Sequence, residues 1–228
     1  MFRDITAPYH TIESWFYDRA VAPVVTEIIE KHLDLLKPFL DAIPEDGRIL
    51  DVGCGGGQLA ISFARQHPGW RITGLDLSRD QARRAKKRGR GLGKQVQFVI
   101  GSALAMPFKP ETVDGLISVC SIKHWHEPGK GLAECLRVLR PGGALVVVEV
   151  DREYHRDDGR AFVARQYIPG YFRSIAMYGF KWKIAARSLS KDEASALFNT
   201  LPVSITRAFT IPGMPLWMIT AKKEKSNF

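Results

Sequence analysis

The sequence has no long apolar run and few cysteines. None of its hydrophobic stretches approaches the roughly 20 residues that a helix needs to cross a bilayer. The opening ten residues contain an acid and a proline and lead into no apolar core of signal-peptide length, so no secretory signal is predicted. Cys54, Cys120 and Cys135 lie far apart without a Cys-x-x-Cys pair, which argues against a disulfide framework and a zinc cluster. We therefore expect a cytoplasmic protein with no metal site.

Acidic residues are missing from one short stretch, and that stretch carries most of the net charge. The 228 residues have a formal net charge of +9, and seven Lys and Arg side chains between 83 and 94 account for all but +2 of it. The simplest interpretation is a solvated helix face. The alternatives are attraction to an acidic substrate, to RNA or to an anionic membrane surface.

The middle of the chain alternates short apolar runs with helical segments. This alternation predicts βαβ units and a mostly parallel sheet. A helix with a capping box is also predicted to start at Ser190. The predicted helices lie at 57–66, 79–88 and 129–139, and the predicted strands lie near 48–53, 71–76, 96–101, 113–120, 143–150, 203–210 and 214–222.

The chain is predicted to form a single domain, 1–228, with four segments. Residues 1–40 have apolar positions at helical spacing, and residues 45–150 form the α/β core. Residues 151–187 are rich in aromatic side chains and follow the fifth strand. We expect them to cap a substrate above the carboxyl ends of the strands, with core packing as the alternative. Residues 188–228 hold the last helix and two strands.

A glycine-rich turn follows the first strand and opens the next helix. Glycines at 53, 55 and 57 let a ligand approach bare backbone, and the helix N-terminus offers N–H groups to an anion. The dinucleotide pattern Gly-x-Gly-x-x-Gly is only partly present, since position 58 is Gln58. Asp76 ends the next strand, where a carboxylate meets ribose hydroxyls. Together these residues predict a nucleoside-containing cofactor.

With these residues in place, the sequence resembles the class I S-adenosylmethionine-dependent methyltransferases. Their first motif, Asp/Glu-x-Gly-x-Gly-x-Gly, is matched from Asp51 to Gly57. The resemblance continues through 101–108, 113–115 and 134–143, and is strongest to the small-molecule branch that includes the ubiquinone and menaquinone biosynthesis enzymes. It implies a Rossmann-like α/β fold with a seven-stranded, mostly parallel sheet, helices on both faces, an antiparallel last strand and an N-terminal helical lid.

The resemblance also implies a cofactor, S-adenosyl-L-methionine, and residues that hold it. The glycine loop holds the methionine portion, with Asp51 orienting its surroundings, while Asp76 accepts the ribose hydroxyls. Ser102 departs from the family, which often has Asp at the position that contacts the adenine. Cys120 ends the fourth strand beside the transferred methyl. The cofactor-binding residues implied are Asp51, Gly53, Gly55, Gly57, Asp76, Leu77, Ser102, Ala103 and Cys120.

Two histidines follow the fourth strand, where a substrate would meet the methyl group. Histidine titrates near neutral pH, so His124 is the candidate catalytic base, with packing or positioning as the alternative. His126 is a candidate substrate contact. Tyr167 and Tyr171 from the aromatic segment are also predicted to face the substrate. Near the N-terminus, a group of aromatic residues either closes the site or covers the sheet: Tyr9, Trp15, Phe16 and Tyr17, of which Tyr17 is the candidate substrate contact.

The predicted function is methyl transfer from S-adenosylmethionine to an O, S, N or C nucleophile of a small molecule. An RNA or protein methyltransferase is the alternative. No Asn-Pro-Pro-Tyr type motif stands at Val119–Ile122, so nucleic acid is a disfavoured partner. A cofactor-binding relative without transfer activity, such as one that catalyses a cyclisation, would carry the same glycine loop. Peripheral membrane contact stays open, and no oligomeric state is predicted.

Overall fold

The computed structural model describes residues 15 and 17–225, so Tyr9 and Phe16 lie outside the described residues. Seven strands form one sheet in the order β3-β2-β1-β4-β5-β7-β6, in which β1 to β5 run parallel and β7 runs antiparallel to both of its neighbours. The predicted sheet is confirmed. The strands are β1 Arg48–Val52, β2 Arg71–Asp76, β3 Val96–Ile100, β4 Val113–Val119, β5 Leu139–Val150, β6 Val203–Thr210 and β7 Leu216–Lys223.

Helices cover both faces of this sheet, as predicted. Most of them are amphipathic, and their apolar sides pack on the sheet, whose central strands β1, β4, β5 and β7 are largely buried on both faces. The helices are α1 Ala22–Lys31, α2 Leu33–Leu40, α3 Gln58–Gln66, α4 Arg79–Arg88, α5 Pro128–Val138, α6 Arg156–Arg165, α7 Arg173–Gly179 and α8 Lys191–Phe198. Short 3₁₀ or π-helical turns lie at Tyr17–Val21, Arg90–Gln95, Ile122–His124, Gly170–Phe172, Phe180–Ile184 and Ala185–Arg187.

Two hydrophobic clusters lie on opposite faces of the sheet. The first joins α1, α2 and α3 to the aromatic segment through side chains such as Ile28, Phe63 and Phe162. The second joins α5 and α8 through Leu132 and Phe198. None of the helices in the described part of the chain is both long and apolar enough to cross a membrane.

The predicted boundaries are accurate to within a few residues. The helix predicted to stop before Arg140 ends at Val138, and β5 begins at once, because Leu139 already pairs with Val113 of β4. The pairing register then shifts so that Ala144 lies opposite Gly115. The capping box at Ser190 is confirmed: its hydroxyl accepts from the N–H of Glu193, whose carboxylate accepts from the N–H of Ser190.

Candidate active site

A cleft with an open volume of about 810 Å³ lies at the carboxyl ends of β1 to β4. Loops that follow parallel strands meet at this edge, which is where open α/β sheets bind ligands. A smaller cavity of about 410 Å³ shares Tyr17, Gly53 and Gly55 with it. The cleft is lined by Tyr17, Gly53, Gly55, Leu75, Asp76, Leu77, Ser78, Gln81, Gly101, Ser102, Ala103, Leu104, Cys120, Ser121, His124 and Trp125.

The loop between β1 and α3 requires glycine for two different reasons. Gly53 has a φ of 74°, and a Cβ atom there would overlap the side chain of Ser121. Gly55 has a φ of 53° and borders both cavities, with only the Tyr17 ring near the place where a Cβ would stand. Backbone at positive φ without side chains leaves room for a ligand directly against the peptide.

The Asp76 carboxylate fastens this loop to the end of β2. One oxygen accepts from the N–H of Gly55 at 2.8 Å and the other accepts from the N–H of Ser78 at 2.8 Å. Burial raises the pKa of Asp76, and these two hydrogen bonds oppose the rise. Each oxygen keeps further acceptor capacity, so the carboxylate can receive ligand hydroxyls while it holds the loop.

Asp51 is a buried carboxylate whose second oxygen has no hydrogen-bond partner among the described residues. Burial raises the pKa of Asp51 to about 7, and the nearby negative charge of Asp76 makes a smaller contribution to the rise. Asp51 lines the smaller cavity beside Gly53 and Gly55. Because an unpaired buried carboxylate is costly, this arrangement suits a cationic ligand group that supplies the missing partner.

Replacing Asp51 by asparagine is expected to stabilise the ligand-free protein above neutral pH. A raised pKa in the folded state means that the unfolded carboxyl ionises first, so folding stability falls as pH rises towards 7. Asparagine does not ionise and avoids this loss. Differential scanning fluorimetry should show a higher melting temperature than wild type at about pH 8 and little difference at about pH 4. Equal melting temperatures at both pH values would contradict the raised pKa.

The turn Tyr17–Val21 is tied to the glycine loop by the buried carboxylate of Asp18. Arg88 donates to Asp18 at 2.9 Å and also to the carbonyl of Gly56, while Gln58 donates to Asp18 at 2.8 Å. These contacts hold the ring of Tyr17 beside the cleft. Arg88 belongs to the basic run 83–94, so at least this cation is structural, and sequence reasoning missed its role.

The end of β4 forms the opposite wall of the cleft. Cys120 has a φ of 53°, which is unusual for a residue other than glycine, and its N–H donates to Val148 at 2.8 Å. Burial raises the pKa of the Cys120 thiol to about 12, so it stays neutral. The hydroxyl of Ser121 accepts from the Trp125 indole at 3.1 Å, which fixes the loop beyond it.

A buried ion pair supports this wall from below. Lys123 and Glu149, whose side chains are 3% and 0% exposed, are joined at 2.9 Å. Glu149 also accepts from the backbone N–H groups of Lys123 and Val150 at 3.2 and 2.7 Å. The Lys123 ammonium in turn donates to the Cys120 carbonyl, so the pair helps to hold the backbone of Cys120 in its unusual conformation.

His124 lines the cleft as a neutral imidazole. Burial lowers its pKa to about 3, and the positive charges of Lys123 and Arg187 add to the effect. A general base works best when its pKa lies near the working pH. The base role of His124 stays a prediction. The low pKa weighs against that role and favours a role in which the neutral ring forms hydrogen bonds.

Residues 50–147 match the protein family described as "Methyltransferase domain". The chain carries a class I S-adenosylmethionine-dependent methyltransferase domain. This confirms the resemblance noted in the sequence, and S-adenosyl-L-methionine is the cofactor of this domain. The glycine loop, Asp76 and the β4 wall all lie within the matched residues.

The names of several curated relatives of this methyltransferase domain refer to small molecules. The chain is 36% identical over 165 residues to the ubiquinone/menaquinone biosynthesis C-methyltransferase UbiE of Geobacter sulfurreducens, covering 69% of this chain and 64% of that protein. It is 29% identical over 194 residues to 24-methylenesterol C-methyltransferase 2 of Oryza sativa subsp. japonica, covering 84% of this chain and 51% of that protein. The aligned part thus spans only about half to two thirds of these relatives.

Solved structures share the fold of the methyltransferase domain. A S-adenosylmethionine-dependent methyltransferase from Aquifex aeolicus superposes with a TM-score of 0.63 at 17% identity, covering 83% of this chain and 88% of that one. The [4+2]-cyclase SpnF superposes with a TM-score of 0.59 at 22% identity, covering 84% and 80%. At these identities the likeness concerns the fold alone.

The structure brings most of the predicted site residues of the methyltransferase domain together. Asp51 borders the smaller cavity, and Gly57, with a φ of 77°, starts α3 away from the lining of the cleft. The hydroxyl of Ser102 accepts from the N–H of Leu104 at 3.1 Å, which orients it within the lining. The predicted residues that line the cleft are Tyr17, Gly53, Gly55, Asp76, Leu77, Ser102, Ala103, Cys120 and His124.

Three predicted substrate contacts lie elsewhere. A ring nitrogen of His126 lies 3.0 Å from the carboxylate of Glu127, and Tyr167 and Tyr171 are exposed to solvent. None of the three is in the lining of the cleft, so their substrate roles stay predictions. Sequence reasoning missed several residues that line or support the site: Asp18, Gln58, Gln81, Arg88, Lys123, Trp125 and Glu149. For all of them except Gln81 and Trp125, the bonding partner named above is distant in sequence.

Proposed function

We propose that the protein transfers a methyl group from S-adenosylmethionine to a small-molecule acceptor held in the cleft. The observation that carries this proposal is the convergence of three features on one cavity system. Bare backbone at Gly53 and Gly55, the Asp76 carboxylate and the unpartnered oxygen of Asp51 all border it. S-adenosylmethionine is an amino acid joined to a nucleoside. Its amino-acid portion suits the bare backbone and Asp51, and its ribose suits Asp76.

The residues present fit this cofactor. Asp51 would pair with its α-ammonium group, Asp76 would accept its ribose hydroxyls, and Leu77, Ser102 and Ala103 would border its adenine. When bound, the cofactor supplies a methyl group that its sulfonium already activates. The protein then contributes chiefly placement, which lowers a barrier by about 7 to 11 kcal/mol in well-oriented systems.

The acceptor would lie against Tyr17, Cys120, Ser121 and His124. A neutral imidazole and a hydroxyl can each donate or accept a hydrogen bond, so they can orient an acceptor that carries O, S, N or C as its nucleophile. The neutral thiol of Cys120 offers an apolar surface rather than a competing nucleophile. The names of the curated relatives support a small molecule over RNA or protein.

We also propose that the residues that the structure describes form one domain, and that the protein works in a reducing cytoplasm. One sheet joins the strands of the cofactor-binding core to those of the C-terminal segment. All three cysteines are free thiols, which suits a reducing compartment.

Replacing His124 by glutamine is expected to slow methyl transfer by no more than about tenfold, because the amide keeps a hydrogen-bonding group in place. Loss of a true general base costs about 100-fold or more. The pKa of about 3 also predicts that, at saturating cofactor, wild type and His124→Gln have pH–rate profiles of the same shape near the ordinary pKa of histidine. A pH–rate profile of both proteins tests this. A change in the wild-type rate with a midpoint near pH 6.5, absent from the variant, would instead show that His124 acts as a base.

The activity itself is tested with methyl-labelled S-adenosylmethionine and a panel of small acceptors, including quinols, sterols and amines. We expect label in at least one of them and none in bulk RNA or protein. Asp76→Ala should abolish the signal, while Asp34→Ala, an exposed carboxylate on α2, should leave it intact. Label only in RNA or protein would overturn the small-molecule proposal. Cofactor binding without transfer to any acceptor would favour the non-transferring relative.

A further inference from the structure

The segment between α6 and α8 exposes an unusual number of apolar side chains. Of the eight large hydrophobic residues that are exposed in the described part of the chain, six lie within residues 167–182. Their exposure ranges from 48% to 79%. Contiguous apolar exposure of this kind marks an interaction site. We call these six residues the aromatic surface: Tyr167, Tyr171, Phe172, Ile175, Tyr178 and Trp182.

Four members of the aromatic surface follow a helical stripe. Tyr171, Ile175, Tyr178 and Trp182 are spaced four, three and four residues apart, which places side chains on one side of a helix. No residue of α7 is buried. The stripe is therefore not part of the core.

The other side of the same segment is anchored. The buried ring of Phe180 packs against Tyr154 at 5.2 Å and against Phe162 at 5.5 Å, measured between ring centroids. Met177 packs against the same core cluster. The segment thus holds its place through its inner residues, and the outer stripe is available to a partner.

The stretch of chain that carries the aromatic surface has charged residues of one sign. Residues 159–191 contain seven Lys and Arg side chains and no Asp or Glu. Lys181 lies over the ring of Trp182 at 5.0 Å. Four of the cations form no ion pair with any residue that the structure describes: Arg173, Lys181, Lys183 and Arg187.

We propose that the aromatic surface docks onto an anionic membrane. Tyrosine and tryptophan favour the interface between lipid and water, and Lys and Arg beside them are attracted to acidic headgroups while their stems cover apolar surface. A second copy of the chain fits less well, since a symmetric dimer would bring together two copies of a stretch that carries cations and no acid.

The segment that carries the aromatic surface leads back towards the cleft. The segment ends at Arg187, which is near enough to His124 for its charge to act on that imidazole. This docking surface is separate from the proposed methyl transfer and does not depend on it.

Co-sedimentation with vesicles tests the docking surface. The full chain should bind vesicles of phosphatidylcholine with phosphatidylglycerol, and should bind phosphatidylcholine alone far more weakly. Lys181→Gln with Lys183→Gln should weaken binding to the anionic vesicles by about thirtyfold, as expected for two basic side chains near such a surface. Ile175→Ser with Trp182→Ser should also release the protein, and added salt should weaken binding of the wild type.

Two matched controls separate this surface from others. Lys86→Gln with Lys87→Gln removes two exposed cations from α4, and Ile100→Ser removes an exposed apolar residue outside the segment. Both should bind like wild type. Equal binding by the Lys181/Lys183 variant and the wild type would overturn the proposal. So would light scattering that shows a dimer in wild type and a monomer in the Ile175/Trp182 variant.

Discussion

Asp76→Ala is expected to weaken binding of S-adenosylmethionine by at least about 100-fold. A hydrogen bond to a charged acceptor contributes about 1.5 to 3 kcal/mol, and two ribose hydroxyls would lose theirs. The variant also removes the acceptor of the Gly55 and Ser78 N–H groups, so the glycine loop loses its link to β2. Equilibrium dialysis with labelled cofactor measures the change directly.

Two further variants make this result specific. Asp76→Asn keeps one oxygen in place and should fall between wild type and Asp76→Ala. Asp34→Ala removes an exposed carboxylate far from the loop and should bind like wild type. Affinity that is unchanged in Asp76→Ala would show that the carboxylate holds no part of the cofactor.

Glu149→Gln is expected to lower the free energy of unfolding by about 3 to 5 kcal/mol. The change keeps the shape of the side chain but leaves the Lys123 ammonium buried without its counter-charge, and breaking a buried ion pair on one side costs this much. Urea denaturation followed by circular dichroism measures the loss.

The double variant Lys123→Met with Glu149→Gln is the matched control. It removes both charges together, so it should be more stable than Glu149→Gln alone, although the Cys120 carbonyl also loses its donor. The ion pair would not support the cleft wall if Glu149→Gln unfolded at the same urea concentration as wild type. The same conclusion would follow if the double variant were less stable than Glu149→Gln.

The sequence predicted the sheet and the cofactor loop because both depend on local signals. Apolar runs between helical segments gave the strands, and glycines followed by an acid at the end of the next strand gave the loop and Asp76. Even the start of α8 could be predicted, since Ser190 and Glu193 are only three residues apart. These features need no knowledge of distant contacts.

The contacts that complete the site could not be predicted in this way. Asp18 meets Arg88 across 70 residues, and Lys123 meets Glu149 across 26, with no spacing rule that links them. Arg88 was one cation in a run that looked uniform. Such pairs depend on how the helices pack on the sheet, which periodicity alone does not specify.

The aromatic segment shows a second limit of sequence reasoning. Its position after the fifth strand predicts a substrate cap, with core packing as the alternative. In the structure the segment divides its side chains: Phe162 and Phe180 join the core, whereas Tyr167 and Tyr171 face solvent. Which ring belongs to which side is decided by the packing of α6 and α7.

We propose that the glycine loop, Asp51 and Asp76 form one binding site for S-adenosylmethionine. Isothermal titration calorimetry of the purified protein with this cofactor and with its demethylated product measures binding at that site. We expect saturable uptake of both ligands at one site per chain, with affinity for each falling as Asp51 becomes protonated below about pH 7. A protein that is folded by circular dichroism yet takes up neither ligand would contradict it.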